Sequence, residues 1–159
     1  MITEPTDLGN LTLLGNQAQP SKKLEAFPNR APGRYYLVTL ETSEFTCLCP
    51  KTGQPDFANI RVDYIPDGTV VESKSFKLYL WSYRNEGAFH EHVVNRILDD
   101  LVAALDPHWC QVTGVFNIRG GIGITVQTEF TKTPEARQQW RSSQNRSSAG
   151  AAAGASLDD

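Results

Sequence analysis

The chain has 159 residues, 40% hydrophobic and 21% charged, which is the size and composition of one ordinary globular domain. A formal net charge of -3 excludes a nucleic-acid binder driven by bulk positive charge, so any nucleotide-like ligand has to be held by a local site. Three cysteines, Cys47, Cys49 and Cys110, are too few and too oddly numbered for a secreted disulfide framework, and no segment reaches the unbroken apolar length of a bilayer span. Met1 to Asn10 also lacks the basic start and apolar run of a signal peptide, and a reducing cytoplasm is the expected setting.

In chain order, residues 1–33 carry Pro5, Pro20, Pro28 and Pro32 without sustained periodicity, and they read as an extended arm that could order against a neighbouring subunit. Tyr35 to Thr42 is rich in β-branched and aromatic residues and reads as a strand; Phe57 to Ile65 does the same, with Ile60, Val62 and Tyr64 on one face. Between them runs a Pro- and Gly-punctuated loop, Phe45 to Phe57. Asp67-Gly68 marks a turn into a short strand at Thr69 to Val71. Ser73 to Asn85 reads as a helix stopping before Gly87, and Phe89 to Leu105 as a second, because Val93, Ile97, Leu101 and Leu105 recur at helical spacing. Asp106-Pro107 ends it. Trp109 to Ile118 and Ile122 to Phe130 then form a hairpin about Arg119-Gly120-Gly121. Residues 133–159 read as a disordered tail, its final part a Ser, Ala and Gly tract, which leaves 34–132 as the folded domain. Strands, two consecutive helices, then strands make an α+β fold, an antiparallel sheet covered on one face. Such a layer leaves its edges open, and oligomerisation that joins them removes the liability.

Four constellations carry chemistry. The loop sets the thiol of Cys49 and the carboxylate of Asp56 on one short connection, where sulfur can act as a covalent nucleophile and the carboxylate can move the accompanying proton. Buried structural cysteines are the competing explanation, and Cys47, two positions away, is a redox partner, a metal ligand or a bystander. Lys74 and Lys77, three apart at a helix start, suit a phosphorylated ligand or else form a solvated basic face with Glu72 as a partner of the helix dipole. His90 and Glu91 could grip a guanine-like edge or simply cap the second helix. Arg119 beside two glycines can fork onto phosphate, or the three are only a turn. Cys47, Cys49, Cys110, His90, His92 and His108 are sufficient ligands for zinc, but their spacings repeat none of the usual paired patterns.

These segments together, Phe45 to Phe57 with Cys49 and Asp56, Glu72-Ser73-Lys74-Ser75-Phe76-Lys77-Leu78-Tyr79, Phe89-His90-Glu91 and Arg119-Gly120-Gly121, resemble in order the short, single-module form of the 7-cyano-7-deazaguanine reductases, the QueF family. The likeness runs from about Tyr35 to Phe130. It implies the tunnelling fold (T-fold), with sheets assembled into barrels, usually as a decamer, and sites at subunit boundaries. It also implies NADPH-dependent reduction of a nitrile to a primary amine, on the path to the tRNA nucleoside queuosine. The substrate is a free base, so no nucleic acid or membrane need be bound. In that family's scheme Cys49 attacks the nitrile to give a thioimide and Asp56 donates the proton. His90 and Glu91 hold the deazaguanine with Val71, Glu72 and Ser73, while Lys74, Lys77 and Arg119 face the cofactor phosphates; no metal is used. The alternatives are a zinc-dependent hydrolase on the same fold, similar to the GTP cyclohydrolases, and a purine-binding oligomer with a structural thiol.

Overall fold

The computed structural model describes residues 9, 11 and 19–142. Its centre is an antiparallel four-stranded sheet in the order β2-β3-β5-β6, formed by β2 Val38–Leu48, β3 Pro55–Ile65, β5 Trp109–Arg119 and β6 Ile122–Thr131. Strand β1, Ala26–Pro28, pairs antiparallel with β4, Thr69–Val71, as a separate ribbon. Helices α1, Ser73–Trp81, and α2, His90–Leu105, follow one another between β4 and β5. The α+β fold with an antiparallel sheet and consecutive helices is therefore present.

The core forms where the strand period of two meets the helical period of 3.6. Along β3, Asp56, Ala58, Ile60, Val62 and Tyr64 are buried while Phe57 and Arg61 are exposed. Against that face α2 packs Val93, Val94, Ile97, Leu98 and Leu101, joined by Val112 and Phe116 of β5. Contact is close enough at Gly114 that a methyl group there would stand 2.7 Å from Val94 Cγ2 and 3.2 Å from Ile60 Cδ1. Helix α2 ends as its sequence requires, with Asp106 in the left-handed region at φ 44° before Pro107.

Three boundaries differ from the expectation. Strand β2 runs on through Phe45 and Cys47, both buried, across a register shift between Thr42 and Phe45, so the long loop shrinks to residues 49–54. Helix α1 ends at Trp81 rather than Asn85, where the Ser82 hydroxyl donates to the Tyr79 carbonyl at 2.6 Å and takes over a helix-end acceptor. Residues 134–142, placed in the disordered tail, are helical, and Ala136 is fully buried against Ile65 and Trp109. This segment is α3, and the folded unit reaches at least residue 142; the residues beyond lie outside the description.

The described part of the arm docks on its own chain. The Glu25 amide donates to Ser75 Oγ at 2.9 Å, the Glu72 amide to the Glu25 carbonyl at 2.8 Å, and the Asn29 amide to the Gly68 carbonyl at 2.9 Å. Most of the arm before residue 19 falls outside the described residues. Among those described, no helix is long and apolar enough to cross a membrane.

Gly114→Ala forces Val94 and Ile60 apart in a packed core. Its expected cost is about 1–3 kcal/mol of folding stability, read as a lower midpoint in chemical denaturation; an unchanged midpoint would show that the contact relaxes freely.

Candidate active site

The site begins at the turn that joins β2 to β3. The Cys49 amide donates to the Gln54 carbonyl at 2.8 Å, the Gly53 amide donates to the Cys49 carbonyl at 2.9 Å, and Gly53 takes φ 69°, which favours glycine. Thr52 and Lys51 of the closed turn, together with the Arg119 guanidinium, favour the charged form of the sulfur. Led by the Thr52 hydroxyl, these donors lower the Cys49 thiol to about 7 against the opposing effect of desolvation. Such an arrangement of amides is an anion nest, and it favours thiolate at neutral pH.

A second connection delivers α2 to the same place. The Leu48 amide donates to the Glu86 carbonyl at 2.9 Å and the Ala88 amide to the Leu48 carbonyl at 3.0 Å, so residues 86–88 run beside the end of β2. Gly87 makes this possible, because a Cβ there would lie 3.1 Å from Pro50 Cα. Two residues later α2 starts with His90, whose ring stacks on Phe116 at 3.8 Å and 11° and whose Nε2 lies 3.2 Å from Asp56 Oδ2.

Asp56 is buried in β3 opposite Cys47. Its other oxygen, Oδ1, is ion-paired with Arg119 Nη1 at 2.9 Å. Arg119 closes β5, directly before Gly120 and Gly121 at φ 61° and 78°. The guanidinium that pairs with the carboxylate also favours the charged form of the Cys49 thiol. Glu91 stands exposed beside His90.

The remaining candidates occupy another part of the chain. Glu72 caps α1, Oε1 accepting from the Lys74 amide at 2.8 Å and Oε2 from the Ser75 amide at 2.6 Å. The Val71 amide donates to the Tyr64 hydroxyl at 3.2 Å. Exposed Ser73 and Lys77 line a cleft of about 910 Å³ with Phe57, Trp81 and Arg84, whereas Cys49, Asp56, His90 and Arg119 do not. Lys74, on the same first turn, is half-buried. One copy of the chain therefore gathers Cys49, Asp56, His90 and Arg119 and leaves the group from Val71 to Lys77 elsewhere.

Cys47 and Cys110 are fully buried, and burial above all pushes their thiols up to about 11 and about 12. Among the described residues no three His, Cys, Asp or Glu side chains converge as a metal cage. Sequence reasoning missed Thr52 and the grip of Arg119 on Asp56. A hydroxyl three residues after a thiol, on a turn closed by glycine, was the available sign of the first.

The chain matches the family model described as QueF-like protein over residues 55–135. It is 66% identical over 130 residues to the NADPH-dependent 7-cyano-7-deazaguanine reductase of Syntrophus aciditrophicus (strain SB), covering 82% of this chain and 93% of the relative. To the reductase of the same description from Anaeromyxobacter sp. (strain K) it is 58% identical over 116 residues, 73% of this chain and 95% of the relative. Among solved structures it is similar to the crystal structure of the archaeosine synthase QueF-Like in the apo form, with TM-score 0.57 and 31% identity over 62% of this chain and 96% of that one.

Iodoacetamide is expected to label Cys49 alone in the folded protein, at a rate that climbs with pH and is half-maximal at about 7. Peptide mapping after alkylation reads this directly, and comparable labelling of Cys47 or Cys110 before denaturation would contradict the burial described.

Proposed function

The chain belongs to the QueF family of NADPH-dependent 7-cyano-7-deazaguanine reductases, and from that premise we propose how its residues divide the work of turning this nitrile into 7-aminomethyl-7-deazaguanine. The reaction is R–C≡N plus two NADPH and two protons giving R–CH2–NH2 and two NADP+, a step toward queuosine in tRNA. The observation that carries the reading is the Cys49 sulfur in a nest of donors beside a buried carboxylate.

Cys49 acts as the nucleophile. Its thiolate bonds to the nitrile carbon, one π bond of C≡N breaks, and the nitrogen takes a proton from Asp56 to leave a thioimide. The proton balance closes within the pair, because Asp56 can receive the proton that leaves the thiol and return it to nitrogen. NADPH supplies the two hydrides that the carbon then requires. Expulsion of Cys49 between them regenerates the thiol, and the proton traffic again passes through Asp56, held by His90 and Arg119.

His90 and Glu91 hold the deazaguanine, the exposed Glu91 carboxylate being suited to the paired N–H groups of a guanine-like edge. Val71, Glu72 and Ser73 complete the base pocket. Both carboxylate oxygens and the amide of Glu72 are already bonded, so its part is to fix the turn that presents Ser73. Lys74, Lys77 and Arg119 face the cofactor phosphates. The cleft beside α1 suits a dinucleotide in size and chemistry, with Lys77 and Arg84 as cations and Phe57 and Trp81 as stacking surfaces.

Because Val71 to Lys77 stand away from Cys49 in one chain, the complete site is built between copies. Strands β2 and β6 form the two edges of the sheet, and pairing edges around a ring gives the T-fold barrel, as a decamer. The enzyme works in the cytoplasm on a free base.

Purified protein with 7-cyano-7-deazaguanine is expected to oxidise two NADPH per amine formed, and no NADPH oxidation would refute the reading. Cys49→Ala should abolish both turnover and the covalent adduct seen by intact mass. Asp56→Asn should slow turnover by about 10²–10⁴-fold with the fold intact; a near-normal rate would remove Asp56 from the chemistry.

A further inference from the structure

The exposed side of α1 carries four groups in a line. Ser73, Lys77, Trp81 and Arg84 stand four, four and three residues apart, the spacing of one helical face, and all four are exposed and line the cleft beside β2. Arg84 lies past the last residue of α1, but the Tyr83 amide donates to the Leu80 carbonyl at 3.2 Å and the Arg84 amide to the Trp81 carbonyl at 3.1 Å, so the turn carries that face on. Lys77 and Arg84 are therefore about 10 Å apart along the axis, with an indole between them. Arg61, Arg119 and Arg137 each hold a carboxylate. Among the described residues Lys77 and Arg84 hold none, although Glu41 and Glu44 line the same cleft from β2. An indole 38% exposed between two uncommitted cations is a surface suited to a flat ring that carries phosphates on either side.

Resting on the reductase reading, we propose that Arg84 is the residue that reads the 2′-phosphate of NADPH and so sets the preference for NADPH over NADH. A phosphomonoester carries close to two charges and three acceptor oxygens, and the forked donors of a guanidinium match it. Lys77, a single point charge, serves the diphosphate that both nucleotides share. Trp81, one turn before Arg84, offers its ring to the adenine attached to the same ribose.

Polarity follows from this placement. With adenosine at the Arg84 end, the dinucleotide runs along α1 toward Ser73 and brings its nicotinamide to the residues that complete the base pocket. The reverse direction would carry the hydride away from the substrate. On the facing wall the carboxylates of Glu41 and Glu44 repel phosphate, which keeps the charged groups of the cofactor on the α1 side. Lys74, one of the cations expected at the phosphates, is half-buried and does not line this cleft, so Arg84 takes the place that sequence order gave to it.

The test titrates the full-length protein calorimetrically with two probes, 2′,5′-ADP and 5′-AMP, which differ only in the 2′-phosphate. The unaltered protein should bind 2′,5′-ADP the more tightly. Arg84→Gln should weaken 2′,5′-ADP by about tenfold to hundredfold, the loss of a charge-assisted forked pair, and erase the preference. Arg84→Lys, which keeps the charge and loses the fork, should recover part of it. Lys77→Gln should weaken both probes alike and leave the preference in place. In steady-state turnover Arg84→Gln should narrow the ratio of kcat/KM between NADPH and NADH, chiefly through KM. A preference that survives Arg84→Gln overturns the assignment, and one lost in Lys77→Gln instead transfers the role and overturns it equally. Binding of neither probe overturns the cleft as the cofactor site. The reductase reading is judged apart from these: intact mass of the unaltered protein with the nitrile alone shows whether Cys49 forms its adduct, and failure there sinks that reading whatever the nucleotides do.

Discussion

A buried carboxylate held from two sides organises this molecule. Asp56 is removed from water by the sheet and helix that enclose it, and leaving that charge unpaired would cost on the order of several kcal/mol. His90 and Arg119 meet its two oxygens, and they come from the start of α2 and from the turn between β5 and β6. The pairings therefore pin three separate parts of the chain to one point. The thiol turn is the fourth, joined through the backbone bonds between Leu48 and residues 86 and 88.

Much of this arrangement was legible in the residues. Helix α2 followed from Val93, Ile97, Leu101 and Leu105, all of them buried, since burial of one stripe is what that spacing encodes. The β5–β6 hairpin followed from alternation around Arg119-Gly120-Gly121, and the glycines do adopt left-handed backbone. Failures came where one physical signal masked another. The Pro and Gly of the thiol loop suggested a long irregular segment, but Phe45 and Cys47 obey the strand alternation and are buried, so the sheet claimed them. Alanine and glycine in the last residues suggested a featureless tail, while Ala136 just before them found a dry seat under Trp109.

The candidate site divides in the same way. Sequence order places Cys49 and Asp56 close together, and the fold adds His90 and Arg119 through tertiary contact. That Arg119 would choose a carboxylate was not readable, because a guanidinium suits phosphate and carboxylate equally well. That Glu72 is consumed by its own helix was one of two readings open to it, and the bonds to the Lys74 and Ser75 amides decide its side chain. The two groups of candidate residues lie apart on a chain whose sheet, among the described residues, ends at β2 and β6, with β2 bridged only at Leu48 by Gly87. The oligomer proposed above would complete the site and cover those edges together.

The passage of Gly87 beside Pro50 bears on how this protein can change over evolutionary time. The link from β2 to α2 is made by main-chain groups, so it does not depend on which side chains occupy the exposed positions 84, 85 and 86. Changes there leave the separation of sulfur and imidazole unaltered, although Arg84 lines the cleft beside α1 and Glu86 pairs with Lys22. Position 87 differs, because any side chain there presses on Pro50, next to Cys49. One immovable glycine thus insulates the thiol turn from the history of its neighbours.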